Sequence, residues 1–92
     1  MTAAHREFWR RHPGLVWSNP EADDATHIRA ALVRPRFRVL LEIAVEFGLE
    51  RLRGEWKDLC SAPTPEVVRA TNAVERILAN LEEGAARAAA GH

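Results

Sequence analysis

The sequence RVLLEIAVEFGLERLRGEW, residues 38–56, decides the fold of this 92-residue chain. Together with the preceding residue it repeats apolar side chains at intervals of three and four, which is typical of one face of a helix. These residues are Phe37, Leu40, Leu41, Ala44 and Phe47. Gly48 then interrupts the pattern, and glycine ends a helix in a left-handed conformation at little cost. A second stripe with the same spacing follows, formed by Leu49, Leu52, Trp56 and Leu59. The stretch therefore predicts two helices folded into a hairpin about Gly48.

Composition and charge favour a small helical domain and exclude several classes of protein. Lys+Arg and Asp+Glu are both 13, and this balance argues against a general polyanion binder. The single cysteine excludes an intramolecular disulfide and fits a reducing, cytoplasmic compartment. The chain contains no apolar run near the ~20 residues of a membrane span, and its first residues lack the apolar core of a signal peptide. We expect one all-α domain over residues 1–92, a bundle of four to five helices.

The N-terminal segment, residues 1–19, is rich in aromatic residues and is a candidate for ordering by a partner. Residues 3–12 predict a short helix in which Phe8 and Trp9 lie beside Arg10 and Arg11. In one interpretation the aromatic side chains dock this helix onto the core. In the other they protrude as an aromatic–arginine anchor for another protein, because these residue types dominate interface hot spots. Trp17, in the apolar connection that follows, is a further candidate contact.

A helix start is predicted where the chain leaves this segment. Ser18 and Glu21 form the S-x-x-E pattern of a capping box, with Asn19 as a competing N-cap. Asp23 and Asp24 add negative charge, which the positive end of a helix dipole attracts. This role in the first turn explains the acidic cluster without a metal ion.

Arg34, Arg36 and Arg38 form the basic cluster that stands out in the sequence, around a Pro35 that predicts a new helix start. In one interpretation these arginines pair with acidic residues of the chain itself. In the other they contact phosphates or an acidic patch of a partner protein.

The hairpin over residues 36–59 is similar in length to a helix-turn-helix. A DNA-reading helix carries exposed polar side chains near its N-terminus, where this chain has Glu50, Arg51, Arg53 and Glu55. Carboxylates at two of these positions would be repelled by DNA phosphates. This repulsion weakens the case for DNA binding. A small DNA-binding regulator that uses this hairpin and the arginine cluster is therefore the alternative hypothesis and not the first.

The last helix is predicted to begin at Thr64 as N-cap, with Pro65 in its first position, and to run to about Ala90. It carries a seam that repeats every seven residues, as in a coiled coil. The seam comprises Val67, Val74, Leu81 and Ala88 with Ala70, Ile77, Gly84 and Gly91. This seam either packs on the hairpin or pairs with a second copy through residues 67–81. Residues 84–92 have only small apolar side chains, so we expect them to fray.

Catalytic chemistry is not expected from the residues present. His5, His12, His27 and His92 lack the i, i+4 spacing of a helical metal site. Cys60 follows an apolar stripe and is interpreted as a small core residue. We therefore predict no enzyme activity, no catalytic or metal-binding residue and no cofactor.

Two stretches, FWRRHPGLVWSNPEADDATHIRAAL and RPRFRVLLEIAVEFGLERLRGEW, resemble small bacterial antitoxins encoded directly upstream of nucleotidyltransferase toxins of the AbiE/MenT kind. The resemblance spans about residues 7–60. Its most specific features are the Phe8–Trp9 pair, the stretch from Trp17 to Pro20, the turn at Gly48 and Trp56.

The resemblance implies a protein that binds and neutralises a cognate toxin, which itself transfers nucleotides onto RNA. The expected contacts are Phe8, Trp9, Arg10, Arg11 and Trp17, with Arg34, Arg36 and Arg38 as a second patch. If the chain instead mimicked RNA, acidic residues would face the toxin. The candidates for that role are Glu21, Asp23, Asp24, Glu82 and Glu83.

Overall fold

The computed structural model describes residues 3–12 and 23–90, and this part of the chain consists of helices joined by short turns. The helices are α1 (Ala3–Arg10), α2 (Asp24–Val33), α3 (Phe37–Phe47), α4 (Leu49–Ser61) and α5 (Pro65–Ala90). The all-α bundle with a hairpin about Gly48 and a long C-terminal helix is confirmed. No helix within the described ranges combines the length and apolarity needed to cross a membrane.

Helix α2 begins later than the sequence predicts. Its N-cap is Asp23, which has extended backbone angles and accepts the backbone N–H of Thr26 at 2.9 Å. The Thr26 hydroxyl donates to the same carboxylate at 2.7 Å, and these hydrogen bonds hold the pKa of Asp23 below its ordinary value of 3.8. The prediction of Ser18 or Asn19 as N-cap is therefore wrong for this helix, and both residues lie outside the described ranges.

The turns on either side of α3 follow from Pro35 and Gly48. Helix α2 ends at Val33, and α3 starts at Phe37, two residues beyond the proline. Gly48 has a φ of +97°, a region that side-chain-bearing residues rarely adopt, and its N–H donates to the carbonyl of Ala44 at 2.9 Å. A single glycine therefore ends α3 and starts α4 with a sharp reversal.

The apolar seam of α5 is buried within the chain itself. Thr64 caps the helix as predicted, because its hydroxyl accepts the N–H of Val67 at 3.3 Å. The buried residues of α5 are Val67, Ala70, Val74, Ile77, Leu78 and Leu81. They pack against α2, α3 and α4, so the interpretation in which the seam packs on the hairpin is correct. A homo-oligomer through residues 67–81 stays a prediction, and it would have to form without the seam side chains that the bundle covers.

The centre of the core is supplied by helices α2 to α5. Its fully buried large side chains are Ile28, Leu32, Leu40, Ile43, Leu52, Val74 and Leu78. Trp56 Nε1, on α4, donates to Glu75 Oε1, on α5, at 2.9 Å. The hydrogen bond gives the buried indole N–H the partner it needs.

Candidate protein-interaction surface

Helix α3 has two apolar faces, and the core covers one of them. Leu40 and Ile43 are fully buried, whereas Phe37, Leu41 and Val45 are 49%, 38% and 79% exposed. The last three are spaced by four residues, so they form a single row along the helix. We call Phe37, Leu41 and Val45 the outer stripe. The sequence pattern grouped Phe37 and Leu41 with Leu40 on one face, but the helix buries Leu40 and leaves the other two exposed. Ile43, which the pattern left out, lies on the buried side.

Packing on the inner face of α3 explains why the outer stripe is left uncovered. Helix α4 packs closely on α3 across the Gly48 turn, and α2 and α5 contact it as well. The α1 aromatic side chains contact Phe47 at the other end of the same helix, with ring centroids 5.6 Å apart for Phe8 and 5.3 Å for Trp9. Phe47 therefore belongs to the covered side of α3.

Two of the three arginines beside the outer stripe have no acidic partner among the described residues. Arg34 and Arg36 are exposed, and no described carboxylate lies within ion-pair distance of either. Arg38 Nε lies 3.7 Å from Glu42 Oε1, with the arginine side chain 86% exposed. Of these three arginines, Arg38 alone pairs with a described acidic residue of the chain. This contact is long and exposed to solvent, so it contributes little to the stability of the fold.

Arg36 stands at an uncapped helix end, and Arg34 lines a shallow groove. Arg36 is the N-cap of α3, and its side chain makes no capping hydrogen bond. The first turn of α3 also contains no acidic residue, so its positive end is not neutralised locally. Arg34 lines a groove of about 310 Å³ together with Pro35, Glu66 and Arg69. Positive charge thus accumulates where the outer stripe begins.

The predicted aromatic anchor at the N-terminus does not protrude. Phe8 and Trp9 are 2% and 4% exposed, which is the arrangement of the docking interpretation. Trp9 Nε1 donates to Asp24 Oδ1 at 2.8 Å, and its ring stacks on His27 at 4.6 Å. His5 Nδ1 donates to the second oxygen of Asp24 at 3.0 Å. Because both rings are buried, they offer almost no surface to a partner.

The other N-terminal candidates differ from this pair. Arg10 and Arg11 are exposed, and the Arg11 guanidinium lies 5.1 Å from the centroid of the Phe8 ring. His12 Nε2 lies 2.9 Å from Glu42 Oε2, a close ion-pair distance at angles outside those of a hydrogen bond. Trp17 lies outside the described residues.

Charges at the start of α4 are engaged within the chain. Glu55 is buried and accepts hydrogen bonds from Arg29 Nε at 2.9 Å and Arg51 Nε at 3.1 Å. Arg53 pairs with Glu82, and this contact raises the pKa of Arg53 and lowers the pKa of Glu82. The polar residues that a DNA-reading helix would present are therefore largely occupied by intramolecular contacts. The sequence contains a signal for part of this network, since Arg51 and Glu55 have the i, i+4 spacing of helical ion pairs.

The acidic residues expected to face a toxin in an RNA mimic also have partners in the chain. Asp23 caps α2, Asp24 holds His5 and Trp9, and Glu83 pairs with Arg87. Glu21 lies outside the described ranges. Glu82 pairs with Arg53, so each described candidate for RNA mimicry has a partner within the chain.

Cys60 is exposed, so the prediction that it is a core residue is wrong. Partial desolvation, aided by Glu75, raises the pKa of its thiol, which disfavours the reactive thiolate. It lines a groove of about 400 Å³ with Trp56 and Glu75. Within residues 3–12 and 23–90, no three His, Cys, Asp or Glu side chains converge as a metal site would require.

No protein family, no curated protein and no solved structure matches the chain.

Proposed function

We propose that the chain is an antitoxin-like protein that binds and neutralises a cognate nucleotidyltransferase toxin in the cytoplasm, without catalysis of its own. The resemblance of residues 7–60 supports the kind of partner. The observation that carries a binding function is the outer stripe, where three apolar side chains in one row are exposed on a helix.

Exposure of this row is unfavourable for an isolated small domain. A large apolar side chain left fully in water forgoes about 1.5–3 kcal/mol of burial, and the partly covered Phe37 and Leu41 forgo less. A single exposed side chain is unremarkable. A contiguous exposed row beside charged residues is typical of a surface that another protein covers. Phe37 and Arg36 are also the residue types enriched at the centres of protein interfaces.

The structure changes the set of expected contact residues. Phe8 and Trp9 leave it because they are buried. Arg34, Arg36 and Arg38 stay, and the outer stripe joins them. Arg10 and Arg11 stay as exposed candidates near the end of α1.

DNA binding has less support than protein binding. Arg51 and Arg53 are engaged by Glu55 and Glu82, so phosphates would have to be held mainly by the arginines near α3. Apolar side chains in the outer stripe have no role in phosphate contact. Binding to duplex DNA that weakens steeply with salt would nevertheless favour the regulator hypothesis.

The test is co-expression with the product of the adjacent downstream gene, with a tag on only one of the two proteins. We expect an untagged nucleotidyltransferase to co-purify stoichiometrically and to inhibit growth when expressed alone. Val45→Glu should weaken the complex about tenfold or more, because a charge would be placed in an apolar contact. Val68→Glu is the matched control, since Val68 is also an exposed valine but lies on α5.

The proposal is wrong if the neighbouring protein is harmless and does not co-purify. Equal weakening by Val45→Glu and Val68→Glu would remove the outer stripe from the interface. Both variants must retain the helical content and thermal midpoint of the parent protein for the comparison to count.

A further inference from the structure

We propose that the outer stripe and the arginines beside it form a docking site for an amphipathic helix whose apolar row is flanked by carboxylates. The inference rests on the proposed function only for the source of that helix, the toxin. The docking chemistry is argued from α3 itself.

The shape of the outer stripe favours a helix as the occupant. Phe37, Leu41 and Val45 are each four residues apart, so the row extends over about 12 Å at 1.5 Å per residue. Rows of this kind form ridges that pack into the grooves of another helix. An incoming helix with apolar residues at the same spacing would cover all three side chains.

The charges around the outer stripe favour carboxylates on that helix. Arg34 and Arg36 have no carboxylate partner among the described residues, and the long contact of Arg38 leaves its guanidinium mostly in water. Arg69, in the groove beside Arg34, likewise has no described carboxylate within ion-pair distance. The uncapped positive end of α3 adds to the same potential. Four arginines and one helix end thus complement an acidic partner.

The nearby acids do not cancel this charge. Glu66 lines the groove with Arg34 and Arg69, but it forms no ion pair with either arginine. Glu42 is shared between His12 and Arg38. In the sequence, no acidic residue occurs between Asp24 and Glu42. The exposed Glu46 follows Val45 at the far end of the outer stripe. A lysine-flanked helix would therefore meet repulsion at the end of the stripe that begins at Phe37, where the arginines lie.

The outer stripe alone is too small for a stable interface, so the arginines beside it must add contact area. A stable interface covers about 800 Å² on each partner, more than three partly exposed side chains supply. The aliphatic stems of Arg34, Arg36 and Arg38 can extend the apolar contact while their guanidinium groups pair with carboxylates. The arginines therefore act as part of the contact surface as well as selecting charge.

The experiment uses two synthetic helical peptides that share one apolar row and differ only in their flanks, glutamate in one and lysine in the other. Each is titrated into the isotopically labelled full chain at low salt, and backbone amide shifts are followed by NMR. We expect the acidic peptide to shift the amides of residues 34–45 and to bind roughly tenfold more tightly than the basic peptide, with the difference falling as salt is added.

Variants test the arginines separately. The double variant Arg34→Ala, Arg36→Ala should weaken the acidic peptide by about three- to tenfold, as expected for two contacts at a solvated rim. Arg76→Ala is the matched control, because Arg76 is an exposed arginine on α5 without an ion-pair partner among the described residues. It should leave the affinity unchanged.

Equal binding of the two peptides, or shifts away from α3, would overturn the inference. Shifts at residues 34–45 that grow with protein concentration alone would instead identify a second copy as the occupant and overturn it. Stronger shifts with a DNA duplex than with the acidic peptide would overturn it in favour of phosphate binding.

If the acidic peptide binds as expected but no toxin co-purifies, the docking site stands and the proposed function fails. If a toxin co-purifies and the peptides bind equally, the function stands and the docking site fails.

Discussion

Helices α3 and α5 carry apolar residues at the same helical spacing, yet their outcomes differ. The α5 seam is buried from Val67 to Leu81, and Val74 within it is fully inaccessible. In α3 the apolar residues extend over a wider arc, of which Ile43 marks the covered side and Val45 the exposed side. The comparison teaches that periodicity identifies a helix, whereas its neighbours decide which part of a wide apolar arc is covered.

The largest expected effect separates the two faces of α3. Ile43→Ala should lower the free energy of unfolding by about 2–5 kcal/mol, because it removes a fully buried side chain and leaves a cavity. Val45→Ala should change it by no more than about 0.5 kcal/mol, as is usual for exposed positions. Urea unfolding followed by circular dichroism measures both. Similar losses for the two variants would mean that Val45 is covered in solution.

A smaller loss of stability is expected where α1 packs against Phe47 at the end of α3. Asp24→Ala removes the acceptor of both Trp9 and His5 and leaves the indole N–H without its partner. We expect a loss of about 1–3 kcal/mol and faster hydrogen exchange in α1. Trp9→Phe should be milder, since it keeps an aromatic ring between His27 and Phe47. If Asp24→Ala leaves exchange in α1 unchanged, stacking alone holds this helix.

The smallest effect is a dependence of stability on pH at the start of α2. The pKa of Asp23 is lowered in the folded chain by its hydrogen bonds to Thr26. The ionised cap therefore stabilises the fold above the ordinary pKa of 3.8, and this contribution is lost as the pH falls through the lower folded value. Asp23→Asn can still cap the helix but cannot titrate here, so its stability should fall less between pH 5 and pH 2. Thermal unfolding across that range measures the difference, and parallel curves would exclude the cap as a source.

Much of the fold was predictable because local chemistry determines it. Gly48, Pro35 and Thr64 mark turns and caps at the residues where the sequence placed them. The start of α2 was not predictable in the same way, because several competing caps lie close together and Asp23 forms the cap that begins this helix. When several N-cap residues of similar strength lie close together, the sequence alone does not show which one begins the helix, because tertiary packing selects among them.

The candidate site was predictable only in part. Arg34, Arg36 and Arg38 stand out in the sequence, and two of them have no described acidic partner. Phe8 and Trp9 were open to two interpretations, since an aromatic residue can serve a core or an interface equally well. Trp9 binds Asp24 and Phe8 contacts Phe47, and these residues, distant in sequence, hold both aromatic side chains in the core.

The sequence by itself determined that this chain is helical, where its hairpin turns, and that α5 has one apolar seam. These features depend on residues close in sequence, through backbone preference and helical spacing. Tertiary structure alone decided that the seam is covered within the chain, that Phe8 and Trp9 are buried, and that Val45 faces outward. Those outcomes depend on how several helices share one small core, in which burying one face of α3 leaves another exposed.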